Sequence, residues 1–370
     1  MTTPVRVAYF ITPHGFGHAA RAAAIMVALQ EIDPAIQFDI FTQVPRRFFQ
    51  DSLVQGFRYY HLCTDIGLVQ TTSLRADLPV TVRHLDAFFP LDYVLITTLA
   101  TLLRSASCAL VLCDIAPMGI VAARAAGVPS VLVENFTWDW IYQGYVQEEP
   151  GFARHIAYLR TIFAAAEYHI QTAPVCCPCS ADLTSLPVSR KPQHSPQQTR
   201  ARLGIPMPAQ AVLLTMGGVP EPYAFLSQLQ HCRDISFVVL GVGDALEWRD
   251  NVVLLPHRSE IFSLDLIYAC DAVVSKVGYS TLAEVYYAGV PFGYVVRQQF
   301  RETPVLASYI TAHMSGLAIT ESAFHSGAWL SCLPNLLRLP RQPQREPRGA
   351  EHIARCVYGL VQGEHGPLQR

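Results

Sequence analysis

A strand-like apolar run that breaks at glycine and restarts as a helix occurs twice in this chain. It constrains the fold more than any other feature. The clearer copy is Ala272-Val273-Val274 followed by Ser275-Lys276-Val277-Gly278-Tyr279-Ser280-Thr281-Leu282-Ala283-Glu284, closed by Gly289-Val290-Pro291. Short apolar strands alternating with helical stretches build parallel sheets of the α/β type. The first N–H groups of a helix are unpaired and sit at the positive end of its dipole, so the turn at Gly278, Ser280 and Thr281 suits a nucleotide diphosphate. Glu284, about one turn on at ~5 Å of rise, is placed to accept hydrogen bonds from two ribose hydroxyls. The competing reading is a capping box of Thr281 with Glu284, which is a good helix start and nothing more.

The same grammar runs through the whole sequence. In the first half, Val5–Ile11, Phe38–Thr42, Leu110–Cys113, Ser130–Val133 and Tyr168–Thr172 read as strands. Ala19–Gln30 and Met118–Ala126 read as alanine-rich helices, the second stopped by Gly127-Val128-Pro129. Ser189–Pro196 is polar, holds two prolines and lacks periodicity, so it reads as a linker. The pattern then restarts with a helix at Gln197–Leu203, strands at Ala211–Thr215 and Phe237–Leu240, a helix near Ile261–Ala269, and strands at Asp271–Val274 and Phe292–Val296. A Pro/Arg-rich loop and a helix at Gly349–Val361 follow. The expectation is two Rossmann-like units, 1–187 and 188–345, with 346–370 packing back toward the first. Ligands in such sheets bind beyond the carboxyl ends of the strands, so two facing units imply a cleft.

After the first strand comes Thr12-Pro13-His14-Gly15-Phe16-Gly17-His18-Ala19-Ala20-Arg21. Its glycines permit a tight strand-to-helix turn. His18 at the helix start is a candidate base for an acceptor hydroxyl; a helix-capping or phosphate-adjacent histidine without proton transfer is the alternative. Asp114 ends its strand on the same rim, where a carboxylate could fix the imidazole tautomer or simply form an Asx turn. Thr215-Met216-Gly217-Gly218 is the second glycine loop, and its N–H groups suit a donor phosphate. The bend at Pro256-His257-Arg258 could meet a base edge, or be a surface turn. Arg297-Gln298-Gln299-Phe300-Arg301-Glu302-Thr303-Pro304 is polar for the end of a buried strand, which suits sugar hydroxyls or phosphate. Glu134-Asn135-Phe136-Thr137-Trp138-Asp139-Trp140 offers stacking surfaces for a sugar or an apolar acceptor, with core packing as the alternative.

Composition narrows the class. The chain has 370 residues, half of them hydrophobic, 15% charged and a net charge of −2, and lysine is scarce. No basic run or zinc-finger spacing points to nucleic acid. No apolar run approaches the ~18 residues of a membrane span, and the start of the chain reads as a strand rather than an export signal. A cytoplasmic protein is therefore expected, with at most peripheral membrane contact. The cysteines are mostly scattered in apolar contexts and read as buried thiols. The exception is Cys176-Cys177-Pro178-Cys179, which could be redox-active or bind a metal, although no second Cys/His pair stands at zinc spacing.

Together these residues resemble the GT-B glycosyltransferases. Gly278, Thr281, Glu284 and Gly289-Val290-Pro291 match the donor-site signature of nucleotide-sugar transferases, including the bacterial muramyl-peptide N-acetylglucosaminyltransferase and the plant UDP-glycosyltransferases. A closer resemblance is to the amino-terminal, glycosyltransferase-like region of plant L-arabinokinase and its stand-alone bacterial relatives. It rests on Gly15–Arg21, Asp65-Ile66-Gly67-Leu68-Val69-Gln70, Asn135–Tyr142, Lys276–Glu284 and Val296–Pro304. The resemblance implies a GT-B fold, with Gly17, Gly217, Gly218, His257, Lys276, Gly278, Ser280, Thr281, Glu284, Arg297 and Glu302 toward the donor. It implies Asp65, Gln70, Asn135, Phe136 and Trp138 toward the acceptor, and His18 with Asp114 as base and partner. Thr303 replaces the acidic or amide residue expected beside Glu302. No ATP-kinase glycine loop occurs in the sequence, so arabinose phosphorylation is not expected. The expected reaction is inverting transfer of a sugar from a nucleotide diphosphate, UDP first among them, to a hydroxyl acceptor that can be apolar, with no metal or other cofactor. A non-catalytic nucleotide-sugar-binding module and a UDP-sugar epimerase are the alternatives.

Overall fold

The computed structural model describes residues 5–53, 56–72, 74–217, 223–256, 259–344 and 347–363. They form two compact units. The first comprises Met1–Val69, Ala76–Ser189 and Pro347–Arg370, the second Gln70–Arg75 and Arg190–Glu346.

The first unit holds strands β1 (Arg6–Ile11), β2 (Gln37–Thr42), β3 (Arg58–His61), β4 (Cys108–Asp114), β5 (Ser130–Glu134), β6 (Tyr168–Thr172) and β7 (Leu183–Ser185). They form one parallel sheet in the order β3-β2-β1-β4-β5-β6-β7. The near-continuous apolar run of β4 follows from burial on both faces. The helix Phe16–Ile32 is alanine-rich because it is covered on two sides, by the sheet and by the helix Gly349–Val361. Small side chains at Ala19, Ala22 and Ala23 let the backbones approach, and Ile353, Ala354 and Val357 complete the same core.

The second unit holds β8 (Gln210–Thr215), β9 (Ile235–Leu240), β10 (Glu247–Arg249), β11 (Val252–Leu255), β12 (Ala272–Lys276), β13 (Phe292–Val295) and β14 (Gly316–Ile319). Their order is β10-β11-β9-β8-β12-β13-β14, parallel except for the edge hairpin β10–β11. The helix Tyr279–Ala288 stops at Gly289, which has φ +65°. A Cβ there would lie 2.1 Å from the backbone nitrogen of Pro343, so both the turn and the close approach require glycine.

Each sheet reverses its strand order once, between β1 and β4 in the first and between β8 and β12 in the second. Such switch points are where the carboxyl ends of α/β strands open a ligand site. His18 and Asp114 stand at the first, Gly217 and Lys276 at the second.

Several expectations need correction. The first helix starts at Phe16, with Gly15 (φ 75°) as its N-cap. Gly17 therefore lies inside the first helical turn, and the turn glycine is Gly15. Glu284 sits in the second turn of its helix, whose N-cap is Gly278 with no side-chain capping bond, so the Thr281–Glu284 capping box is not formed. Part of the segment read as a linker is held by hydrogen bonds to the helix Ser263–Ala269 of the second unit. Asp265 accepts hydrogen bonds from the backbone nitrogens of Gln193 (2.7 Å) and His194 (3.2 Å) and from His194 Nδ1 (2.8 Å). Among the described residues no single helix is long and apolar enough to cross a membrane; Leu78–Phe88 and Tyr93–Ser105 would suffice together but are bent by 69°.

Candidate active site

In the first unit, β1 and β4 pair in register so that Ile11 lies beside Asp114. The helix Phe16–Ile32 begins just past β1 and carries His18 in its first turn and Arg21 one turn on, both facing the sheet and buried. His18 Nδ1 is 2.7 Å from Asp114 Oδ1. Arg21 grips the same carboxylate with Nε to Oδ2 and Nη2 to Oδ1, each 2.7 Å. Its Nη1 donates to Asn135 Oδ1 at 2.8 Å and to Thr172 Oγ1 at 3.3 Å.

These contacts fix the imidazole tautomer. Burial alone would raise the Asp114 pKa, but the charge of Arg21 and the hydrogen bonds from Arg21 and His18 overcome it, and the carboxyl is held below its usual range. An ionised carboxylate only accepts, so His18 Nδ1 carries the proton and Nε2 keeps its lone pair. Arg21 Nη2 lies 3.2 Å from His18 Nδ1, a contact between two groups that both donate to Asp114. Burial pulls the His18 pKa down, helped by Arg21 and opposed by Asp114. The ring is thus neutral at neutral pH and able to take a proton.

Phe136 and Trp138 flank the ring, with centroids at 5.8 and 6.5 Å from that of His18. His14 meets Trp138 edge-on at 5.0 Å. Asp65 is buried near them, and Thr12 Oγ1 donates to its Oδ1 at 2.7 Å. Burial pushes Asp65 up to about 8, reinforced by the charge of Asp114 and opposed by the hydrogen bond from Thr12. Asp65 is therefore a neutral acid at pH 7, unlike Asp114.

The second unit gathers its own set. Gly217 lies in a turn after β8 with φ +75°, and a Cβ there would stand 3.4 Å from Lys276 Cε and 3.8 Å from Nζ. Lys276, one of two lysines in the chain, thus extends beside the glycine turn at the carboxyl ends of β8 and β12. The N-cap Gly278 follows, with no side chain of its own to cap the helix, and Ser280 and Thr281 lie in the first turn. Glu284 is buried and ion-paired. Its Oε1 accepts from Arg190 Nη2 at 2.8 Å and Nε at 3.2 Å. Arg190 also donates to Ser263 Oγ at 3.2 Å and lies 4.5 Å over the Phe262 ring. Arg297 is buried with its guanidinium 3.9 Å over Phe300, and Glu302 is buried at the N-cap of the helix Thr303–His313 without capping it by its side chain.

The structure therefore brings together His18, Asp114, Asp65, Asn135, Phe136 and Trp138 in one unit, and Gly217, Lys276, Gly278, Ser280, Thr281 and Glu284 in the other. Asn135 offers its side-chain oxygen to Arg21, a positioning contact rather than an open one. Gln70 belongs to the short segment that packs with the second unit. Gly218 and His257 lie outside the described residues. Among those residues no group of three or more His, Cys, Asp or Glu side chains is arranged to hold a metal ion. Sequence reasoning missed Arg21, Thr12, Thr172 and Arg190. Arg21 had a signal, an arginine three residues after His18 on a helix otherwise almost wholly apolar. Arg190 had only its place in a polar stretch between two prolines.

No protein-family model matches the chain. L-arabinokinase of Arabidopsis thaliana is 27% identical over 363 residues, covering 97% of this chain and 34% of that protein. The chain thus spans about a third of the length of the curated relative it matches. Three solved structures show the fold. A UDP-glucosyltransferase from Polygonum tinctorium, in complex with 3,4-dichloroaniline, superposes with a TM-score of 0.62 at 13% identity over 98% of this chain and 100% of that one. The glycosyltransferase VinC in complex with dTDP gives 0.60 at 16% over 97% and 95%. MurG of Acinetobacter baumannii gives 0.57 at 16% over 96% and 99%. The fold is that of the GT-B glycosyltransferases.

Proposed function

We propose that this chain transfers a sugar from a nucleotide diphosphate sugar to a hydroxyl-bearing acceptor, with inversion at the anomeric carbon. The observation that carries the reading is the buried His18–Asp114 hydrogen bond of 2.7 Å at the switch point of the first sheet. The fold likeness to sugar transferases supports it, and so do the glycine turn at Gly217 and the glycine N-cap of the helix Tyr279–Ala288 in the second unit.

In this reading His18 Nε2 accepts the proton of the acceptor hydroxyl as its oxygen attacks the anomeric carbon. Asp114 stabilises the imidazolium that forms, and Arg21 keeps Asp114 ionised and aligned. Phe136, Trp138 and His14 give the acceptor an apolar wall, and neutral Asp65 can donate a hydrogen bond to it. Negative charge develops on the departing diphosphate. Lys276, the turn at Gly217 and the helix start at Gly278–Thr281 neutralise it, with Arg297 in support; one such donor typically contributes ~3–4 kcal/mol to the transition state. Glu284 takes the ribose through its second carboxylate oxygen. UDP is the first donor to test, and this set of groups supplies the neutralising charge without a metal. All ten cysteines are unpaired, which supports a reducing compartment such as the cytoplasm.

The test is a thermal-shift screen against UDP-, dTDP- and GDP-sugars, followed by product analysis with candidate acceptors. A ligand that binds the folded state raises the melting temperature by mass action. Stabilisation by one nucleotide-sugar class and glycosylated product support the reading. Conversion of the donor sugar with no acceptor present would favour an epimerase.

A further inference from the structure

The cysteine-rich loop of the first unit takes no part in the reaction above, yet its side chains form an ordered relay. His169 and Gln171 project from the same face of β6, two residues apart. Glu134, at the end of β5, pairs in register with Gln171. His169 Nε2 lies 2.9 Å from Glu134 Oε1, and its Nδ1 lies 3.6 Å from Cys179 Sγ. Gln171 fixes the loop on both sides. Its Nε2 donates to Glu134 Oε1 at 2.7 Å and to the Cys177 carbonyl at 2.9 Å, and its Oε1 accepts from the Cys179 backbone nitrogen at 3.2 Å. Cys176 N donates to the Asn135 carbonyl at 2.7 Å. Glu134 is buried, whereas Cys177 and Cys179 are exposed.

The chemistry follows from the order of these groups. Glu134 accepts from Nε2–H, which leaves Nδ1 as the acceptor facing the thiol. The imidazole stands between the carboxylate and the sulfur, so the three groups form a proton relay and cannot converge on one metal ion. Partial burial, with the charges of Glu134 and Cys177, pushes the Cys179 thiol up. It is therefore protonated at neutral pH and reacts fast only with a base at hand, which is what His169 supplies.

We propose that Cys179 is a nucleophilic modification site for low-molecular-weight disulfides, with His169 as its base and Glu134 orienting the ring. As Cys179 Sγ attacks one sulfur of R–S–S–R, its proton passes to His169 Nδ1. The S–S bond breaks, R–S⁻ departs, and the proton held by His169 passes to it or, where the leaving thiol is an acidic aryl thiol, to solvent. Cys179 is left as the mixed disulfide, and no electrons are needed beyond those of the reagent. Cys177 is the internal control, since it is also exposed in the same loop and has no imidazole bonded to its sulfur among the described residues.

The experiment uses the full chain and 5,5′-dithiobis(2-nitrobenzoate), with release of the coloured thiolate followed by stopped flow and the modified cysteine identified by mass spectrometry. Cys177→Ser should keep a fast single-site phase, and Cys179→Ser should lose it. In the Cys177→Ser background, His169→Gln should slow that phase at pH 7 by about tenfold or more and make it rise with pH as for an unassisted thiol. Glu134→Gln should slow it several-fold. Each variant is first checked for an unchanged circular dichroism spectrum. A fast phase that survives Cys179→Ser, or one that neither His169→Gln nor Glu134→Gln alters, overturns the proposal.

Discussion

Arg21 holds Asp114 through two parallel hydrogen bonds of 2.7 Å, and His18 bonds to the Oδ1 atom that Arg21 Nη2 also reaches. The three residues form a closed, buried unit in which the carboxylate carries the charge that both nitrogen groups need. Removing one member of such a unit leaves the others uncompensated, which typically costs 3–5 kcal/mol, or about that order. Arg21→Met should lower the melting temperature sharply and reduce turnover. Arg21→Lys keeps the charge but not the fork, so it should retain most of the stability while turnover falls by about tenfold or more. Thermal melts alongside transfer assays check both; equal turnover in Arg21→Lys and the parent would show that the fork does not position Asp114.

His18→Ala should reduce turnover by about 100- to 10,000-fold, the usual weight of a general base, while nucleotide binding is unchanged. Because burial and Arg21 pull the imidazole pKa down, the acid limb of kcat/KM against pH should fall below the ordinary histidine value of about 6.5. A limb at or above that value would mean that another group titrates.

Asp65 predicts an effect of opposite sign on stability. Its folded pKa is about 8, against about 3.9 in an unfolded chain. Between these values the unfolded chain has released the proton and the folded chain has not. The contribution is thus full below about pH 4 and lost as pH rises toward 8. Asp65→Asn lacks this titration and keeps an acceptor for Thr12. Its stability relative to the parent should therefore increase from pH 5 to pH 8, by up to about 4 kcal/mol at 1.36 kcal/mol per unit. Denaturant melts at the two pH values measure this, and a constant difference would show that Asp65 is ionised in the folded protein.

Glu284 and Arg190 raise a point that affinity data alone would confuse. Glu284→Ala strands a buried guanidinium, so it should destabilise the second unit as well as weaken nucleotide binding. Glu284→Gln keeps an acceptor for Arg190 and isolates the ribose contact. It should lower nucleotide affinity by about tenfold, near 1.4 kcal/mol, with a smaller loss of melting temperature than Glu284→Ala. Calorimetric titration beside thermal melts separates the two effects.

The sequence showed the inner strands well because parallel sheets bury both faces and write continuous apolar runs, as in Leu110–Cys113 and Val273–Val274. Strand β3 was not legible. Its residues Arg58–His61 are exposed or half-buried at the sheet edge and carry no apolar run. The start of the first helix was misjudged because Gly15 and Gly17 look alike in sequence, and only φ separates the turn from the helix. At the site, His18 and Asp114 were legible from their places after strands. The contacts of Arg21 and Arg190 were not, because each reaches across dozens of residues in sequence, and no local pattern marks such a pairing.

The central claim is that the second unit binds a nucleotide diphosphate sugar and that His18 acts on the acceptor, not on the donor. Isothermal titration calorimetry with UDP-, dTDP- and GDP-sugars, run on the parent chain, His18→Ala and Glu284→Gln, tests it most directly. The account predicts saturable binding of one nucleotide class, unchanged in His18→Ala and about tenfold weaker in Glu284→Gln. Absence of heat with every nucleotide sugar, or equal affinity in the parent and Glu284→Gln, would contradict it.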